Sequence, residues 1–266
     1  MYHHRAIVSY KGSNFFGWQD LGASTAKPTV QREVHQVLKK ICNYQNCIVA
    51  GASRTDAGVH AQGQVAKFTL PIEIESEKLQ QGMNSLLPKE IRILDCEPSC
   101  SKFNPNLDSI SKKYHYYFCT DRIFNPVLND IVVHFVSTKK NDPAALIDII
   151  AMKQASKLFI GEQDFYGFAA RGTNTGSTVR TVFDCQIVGA EFPGFSNAIY
   201  CLQIQGDGFL KQMVRYIVGA LFEVGRGTVD MQQIRDALAT RQEKKLSPKA
   251  KPHGLHLMEI IYQTVE

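Results

Sequence analysis

Gly51-Ala52-Ser53-Arg54-Thr55-Asp56-Ala57-Gly58-Val59-His60-Ala61 lies between two apolar runs that read as strands, Ile48 to Ala52 and Gln64 to Leu70. Hairpin loops ordinarily take about two to five residues; this connection takes about ten. It carries an arginine, an aspartate and a histidine, the side chains that sit on long loops when a rigid scaffold presents chemistry. Taken alone, Asp-Ala-Gly also reads as a turn that the aspartate caps with its own side chain. The two strands around it decide the fold, because they are the middle of a larger pattern.

Upstream, residues 2–10 read as a strand. A glycine-punctuated loop from Lys11 to Gln19 follows, and Thr29 caps a helix in which Val30, Val34, Val37, Leu38 and Ile41 recur at helical spacing. Lys39 and Lys40 in its last turn complement the helix dipole. Downstream, Ser76 to Leu87 reads as a helix stopped by Pro88, and Ile91 to Cys96 as a strand. The order is β-α-β-β-α-β, a ferredoxin-like unit. A Ser, Asn and Pro-rich link from Pro98 to Ser111 predicts the domain boundary, giving domains 1–104 and 105–266.

The second domain opens with a strand over Lys113 to Cys119, then a strand over Asp130 to Val136. Asn141-Asp142-Pro143 reads as a helix start, an N-cap before proline at the first helical position. That helix is expected to run through Leu146, Ile150, Ala155, Leu158 and Phe159. Strands are predicted at about 179–190 and 198–205, an amphipathic helix at 210–224 with Leu210, Met213, Val214, Ile217 and Leu221 on one face, and a short helix at 230–240. A strand from His256 to Gln263 closes the pattern. The fold class is α+β, two ferredoxin-like halves with mostly antiparallel sheets.

Composition narrows the function classes. The chain of 266 residues is 44% apolar and 21% charged, ordinary for a globular protein. No run approaches the roughly 20 apolar residues of a membrane span, and Met1 to Ala6 has no signal-peptide core; a cytoplasmic location is the expectation. Seven scattered cysteines suit reduced thiols rather than a disulfide framework. Only Cys96 and Cys100 form a close pair, so no metal site is expected. A net charge of +5 permits an anionic partner without requiring one.

Asp56 is the first candidate for chemistry. An aspartate is anionic at neutral pH, suited to nucleophilic attack or charge stabilisation rather than to donating a proton. Arg215, beside the apolar stripe of the 210–224 helix, needs either a buried partner or a path for its head group to water. Tyr114 alternates with Tyr116 and Phe118 along one strand face, a pattern that also reads as plain core. Leu255 in Gly254-Leu255-His256-Leu257 reads as an ordinary strand residue. Arg54 and Lys211 are cations next to Asp56 and on the helix face of Arg215; His60 reads as a structural hydrogen-bonding group. The loop Ala170 to Arg180 is basic and reads either as a contact for an anionic partner or as a solvated loop.

The string from Gly51 to Ala61, with Gly63-Gln64-Val65 after it, resembles the signature of the TruA family of tRNA pseudouridine synthases. The resemblance runs nearly end to end: Tyr10-x-Gly12, Phe16-Gly17-Trp18-Gln19, Thr29-Val30-Gln31, Asn84-Ser85-Leu86-Leu87-Pro88, Lys112-Lys113-Tyr114-His115-Tyr116, Gly161-x-x-Asp164-Phe165-x-x-Phe168, Arg180-Thr181 and Gly208 to Gly219. It implies a pseudouridine synthase fold with a central RNA-binding cleft and Asp56 at its floor. It makes Asp56 the catalytic aspartate, Arg215 its ionic partner, and Tyr114 the ring that stacks on the target uracil. Leu255 would line the uracil pocket, and Arg54 and Lys211 would handle RNA. The activity implied is conversion of uridine to pseudouridine at positions 38, 39 and 40 of the tRNA anticodon stem-loop, with no cofactor and no metal. The partner implied is tRNA, lying across both subunits of a homodimer.

Three departures from the family pattern stand out. Ser53 replaces a usual glycine before Arg-Thr-Asp, Asn106 stands in Phe103-Asn104-Pro105-Asn106 where an arginine is usual, and Lys251 sits in a segment that is usually Ala-Pro-rich. Three rival functions compete with the resemblance: an RNA-binding protein without catalysis, a metal hydrolase built on Asp56 and His60, and a relative acting on another RNA. Retention of Asp56, Tyr114 and Arg215 together argues against the first, the lack of further clustered carboxylates against the second, and the compact length against the third.

Overall fold

A computed structural model describes residues 1–22, 28–136, 146–172, 176–241 and 243–263. The chain folds as two compact units, 1–112 with 256–266, and 113–255.

The first unit contains β1 (Tyr2–Tyr10), α1 (Val30–Ile41), β2 (Ile48–Gly51), β3 (His60–Leu70), α2 (Ser76–Leu86) and β4 (Ile91–Pro98), the expected β-α-β-β-α-β order. β1 pairs antiparallel with β3 and β4. The far edge of β3 is shared. Its C-terminal half carries β2, from Ile48↔Thr69 to Gly51↔Ala66. Its N-terminal end carries the chain's last strand in parallel, His256↔His60 and Leu257↔Ala61. The Asp56 loop leaves the sheet between these two partners. Thr29 caps α1 by accepting from the Arg32 N–H, and α1 buries Val30, Val34, Val37 and Leu38. Asn84 of α2 holds the edge strand like a piece of backbone, accepting from Ile93 N at 2.9 Å and donating to Ile93 O at 2.8 Å. That gives Asn84 of the Asn-Ser-Leu-Leu-Pro string a structural task.

In sequence, β5 (Ser109–Cys119), β6 (Val133–His134), α3 (Ile149–Ser156), β7 (Gly161–Asp164), β8 (Val179–Ala190), β9 (Ile199–Gly206), α4 (Met213–Gly225), α5 (Met231–Ala239) and β10 (Leu255–Tyr262) complete the chain. β5, α3, β8, β9, α4 and β10 repeat the order of the first half. Within the second unit β7, β8 and β9 are antiparallel, and β6 runs parallel to β5.

Several expectations differ from these elements. The 130–136 strand shrinks to Val133–His134, because Ile131 and Val132 donate back to Leu128 O in a turn. The helix start at Asn141-Asp142-Pro143 lies outside the described residues. α3 begins at Ile149 with Asp148 as its cap, and Leu158 and Phe159 lie in a 3-10 turn beyond it. α4 starts at Met213, after Gln212 in a left-handed conformation at φ 63°, and is buried almost all round rather than on one face. A helix apolar on every side is a core helix.

The units also divide the chain differently from the expected 1–104 and 105–266. The link after β4 is tied to the first unit: Lys67 Nζ donates to Ser101 O and Phe103 O, and the Tyr262 hydroxyl to Pro105 O. β10 returns to β3, so the C-terminal strand also belongs there. All seven cysteines are free. No helix among the described residues is long and apolar enough to cross a membrane.

Candidate active site

The loop 52–59 is held residue by residue. Ala52 N continues the ladder by donating to Val65 O at 2.9 Å. Beyond it the backbone has no strand to pair with, and a buried side chain takes the strand's place. Gln64 accepts from Ser53 N at 3.1 Å and donates to Ser53 O at 2.6 Å. Thr55 is gripped twice. Its carbonyl accepts from Trp18 N at 3.2 Å, and its hydroxyl meets the buried Tyr10 hydroxyl at 2.8 Å. Val59 N donates to Asp56 O at 3.1 Å, closing a turn, and Gly58 N donates to Phe15 O at 3.3 Å.

The glycines of the 12–18 segment let it lie this close. A Cβ on Gly12 would stand 1.9 Å from the Val59 carbonyl oxygen. Gly17, at φ +89°, would place one 2.5 Å from Thr55 O. The Tyr10-x-Gly12 and Gly17-Trp18 strings are therefore the bed on which the loop rests. His60 is buried, accepts from Gly12 N through Nδ1 at 3.1 Å, and stacks on His256 with centroids 4.6 Å apart. It is a structural histidine, as its place in the loop predicts.

Along the loop Ser53 and Thr55 are buried, Arg54 is exposed and Asp56 is half-buried. Ser53 does not need a left-handed backbone, since it is absent from the positive-φ residues, so serine fits where glycine is usual.

In the second unit, Tyr114 on β5 is buried with its ring edge-on to Phe209, centroids 5.3 Å apart. Arg215 on α4 is buried and clasps residue 250: its Nε donates to Ala250 O at 2.8 Å, and Ala250 N donates to Arg215 O at 2.9 Å. Next along, the Tyr116 hydroxyl donates to Lys251 O at 2.9 Å. Burial pushes the Tyr116 phenol up, with Arg215 opposing. The 250–251 segment is thus held through its backbone, and the side chain of Lys251 is exposed. Leu255 is buried, and Lys211 is exposed. In the basic loop, residues 173–175 lie outside the described set, and Ala170 N donates to Lys211 O at 2.9 Å.

Two residues of the site escape sequence reasoning. Gln64 stands in the sequence as one letter of a longer string, although a glutamine inside a strand is itself a signal. Lys112 reads there only as an approach to Tyr114. It is buried and donates to Ala52 O at 2.8 Å and to Asn106 Oδ1 at 2.9 Å. Asn106, where an arginine is usual, therefore has a partner within the chain. Burial holds the Lys112 ammonium down at about 8. No group of three or more His, Cys, Asp or Glu among the described residues is arranged to hold a metal ion.

Residues 6–103 and 155–263 match a family model described as tRNA pseudouridine synthase. The chain is 45% identical over 263 residues to tRNA pseudouridine synthase A 2 of Desulfotalea psychrophila, covering 98% of each chain. It is 36% identical to tRNA pseudouridine synthase A of Streptococcus agalactiae, covering 100% of this chain and 97% of that one. For the Listeria welshimeri tRNA pseudouridine synthase A the identity is 33%, over 99% and 100%. The chain belongs to the TruA family of tRNA pseudouridine synthases. It is an isomerase that pseudouridylates tRNA.

Proposed function

We propose that this isomerase converts uridine to pseudouridine at positions 38, 39 and 40 of the anticodon stem-loop, with the Asp56 carboxylate at the reacting nucleotide and no cofactor. The observation that carries this reading is the loop itself: a half-buried carboxylate on a segment whose neighbours are pinned by Gln64, Trp18, Tyr10 and Phe15. A loop so fixed can aim a side chain, which is what a reaction without metal or organic cofactor requires.

The reaction balances without redox chemistry. The N1–C1′ glycosidic bond breaks, the uracil turns, and a C5–C1′ bond forms; the C5 proton leaves and N1 gains one. An anionic aspartate can attack the sugar or the base, or assist the cleavage. In this reading Tyr114 stacks on the uracil, a ring-on-ring contact that holds a base detached from its sugar. Its hydroxyl is a candidate for the proton transfer at C5. Arg215 serves as the counter-charge of the carboxylate, Leu255 lines the base pocket, and Arg54 and Lys211 meet RNA. Taking the base from a stem costs a few kcal/mol, which Arg54 offsets by holding the vacated space or a neighbouring phosphate. The enzyme works as a cytoplasmic homodimer.

The test is carbodiimide mapping of pseudouridines in tRNA from a deletion strain, complemented with the wild-type chain or with Asp56→Asn. The wild-type chain restores modification at positions 38–40; Asp56→Asn restores none while binding tRNA within several-fold of wild type. Modification outside the anticodon arm overturns the position assignment, and turnover by Asp56→Asn overturns the role of the carboxylate.

A further inference from the structure

Lys112 is the only buried lysine among the described residues. Its ammonium meets two neutral oxygens, Ala52 O and Asn106 Oδ1, and no ion pair with an Asp or Glu among the described residues involves it. A cation placed in a low-dielectric site without a counter-ion is disfavoured. Apolar residues of similar length would fill such a position at less cost. That cost makes a purely space-filling role a poor account of the lysine.

What the lysine holds is specific. β2 ends at Gly51, whose ladder partner is Ala66. The Ala52 carbonyl is the first of the loop, and Lys112 Nζ takes it at 2.8 Å. The next residue, Ser53, is taken by Gln64. The arm of the loop that leads to Asp56 is therefore fixed at its root by Lys112 and one residue later by a glutamine. Of these anchors only the lysine carries a charge, and hydrogen bonds from charged donors are about twice as strong as neutral ones. Lys112 also lies two residues before Tyr114 on β5.

We propose that Lys112 is a positioning residue for the isomerisation. It touches no substrate; it fixes the root of the 52–56 arm through the Ala52 carbonyl, so that the aim of the Asp56 carboxylate depends on it. The proposal rests on the reading that Asp56 is the reacting group.

The test compares Lys112→Met, which keeps an unbranched side chain but removes the donors, with Lys112→Arg, which keeps charge and donors, and with Asn106→Ala, which removes only the second acceptor. Each is assayed for kcat, KM and tRNA Kd, and for amide hydrogen exchange across 52–59. Lys112→Met is expected to lower kcat about 10- to 100-fold, the range of one lost charged hydrogen bond. KM and Kd should stay within about threefold, and the exchange of the loop amides should quicken. Lys112→Arg should recover most of kcat, and Asn106→Ala should stay near wild type. A wild-type kcat in Lys112→Met overturns the proposal, as does a loss confined to KM and Kd, which would make the lysine an RNA contact. If Lys112→Met does not fold, Lys112→Gln, with a single amide donor, carries the same comparison. Asp56→Asn, run in parallel, separates the two ideas. If it turns over, the carboxylate reading fails, whereas quickened loop exchange in Lys112→Met still reports the anchoring.

Discussion

Replacing Gln64 with leucine tests whether the Asp56 loop is held by the side chain that mimics a strand. Gln64 is fully buried, and its amide makes two bonds to one residue, 3.1 Å from Ser53 N and 2.6 Å to Ser53 O. Leucine has similar volume and neither function. Taking a partner from a buried backbone group costs about 1–3 kcal/mol, so two such losses cost about 2–6 kcal/mol. The apolar gain of leucine returns roughly 1 kcal/mol. The net is a loss of about 1–5 kcal/mol, set against a total stability of about 5–15 kcal/mol for a typical domain, so over most of that range the variant should still fold at 25 °C. Urea unfolding should show a lower midpoint with an unchanged slope, and single-turnover kinetics a reduced rate. A further variant sharpens the test. Gln64→Glu keeps an acceptor for Ser53 N but sets an oxygen against Ser53 O, so its carboxyl is stabilised in the protonated form and its pKa is raised by folding. The stability of that variant should therefore rise as pH falls through the folded pKa. If Gln64→Leu unfolds at the wild-type urea concentration and turns over at the wild-type rate, the loop is held by something else.

Gly12→Ala puts a Cβ where the Val59 carbonyl oxygen stands, 1.9 Å away; since that neighbour is backbone, a loss of at least about 3 kcal/mol is expected, read as a lowered Tm with impaired turnover. Lys112 has a folded pKa of about 8 against an ordinary value of 10.5, so the folded state disfavours its charge: the penalty is complete below about pH 8 and is relieved as pH rises from there towards 10.5. Between pH 7 and 9.5 the wild type should gain about 1–2 kcal/mol relative to Lys112→Met, measured by urea unfolding at both values; no change in the difference refutes the burial of the charge.

Periodicity makes most of the fold legible. The α1 stripe of Val30, Val34, Val37 and Leu38 is the buried face, and β1, β2, α2, β4, β8, β9 and β10 lie close to where the sequence places them. It fails where burial is not one-sided. β3 begins at His60, four residues before the apolar run, because its first half carries buried His60 and Gln64 under a second strand. Alternation of apolar and polar residues cannot report a strand whose polar side chains are buried and paired. The same holds for α4, buried on nearly every side, whose start is fixed by the left-handed Gln212 rather than by a stripe. The unit boundary differs from the expected one for a related reason. A Ser, Asn and Pro-rich link looks detached in sequence, yet Lys67 and Tyr262 bind its carbonyls from strands far along the chain.

The site divides along the same line. The string around Asp56 is readable because it is local: one loop. Its supports are not, because each joins residues far apart, 45 positions for Tyr10 and Thr55 and 60 for Lys112 and Ala52. Yet those supports explain the local string. Fixing the backbone of a loop residue costs about 1–2 kcal/mol of entropy, so a rigid segment over 52–59 must be matched by bonds at close intervals. Residues 52, 53, 55 and 58 have them, from Lys112, Gln64, Trp18 with Tyr10, and Phe15. In an extended arm, alternate side chains face opposite ways. Anchoring Ser53 and Thr55 inward leaves Arg54 exposed and Asp56 half-buried on a backbone held at close intervals. A flexible loop with the same residues would have the same charges and no fixed direction for them, and a fixed direction is what chemistry at one atom of a nucleotide demands.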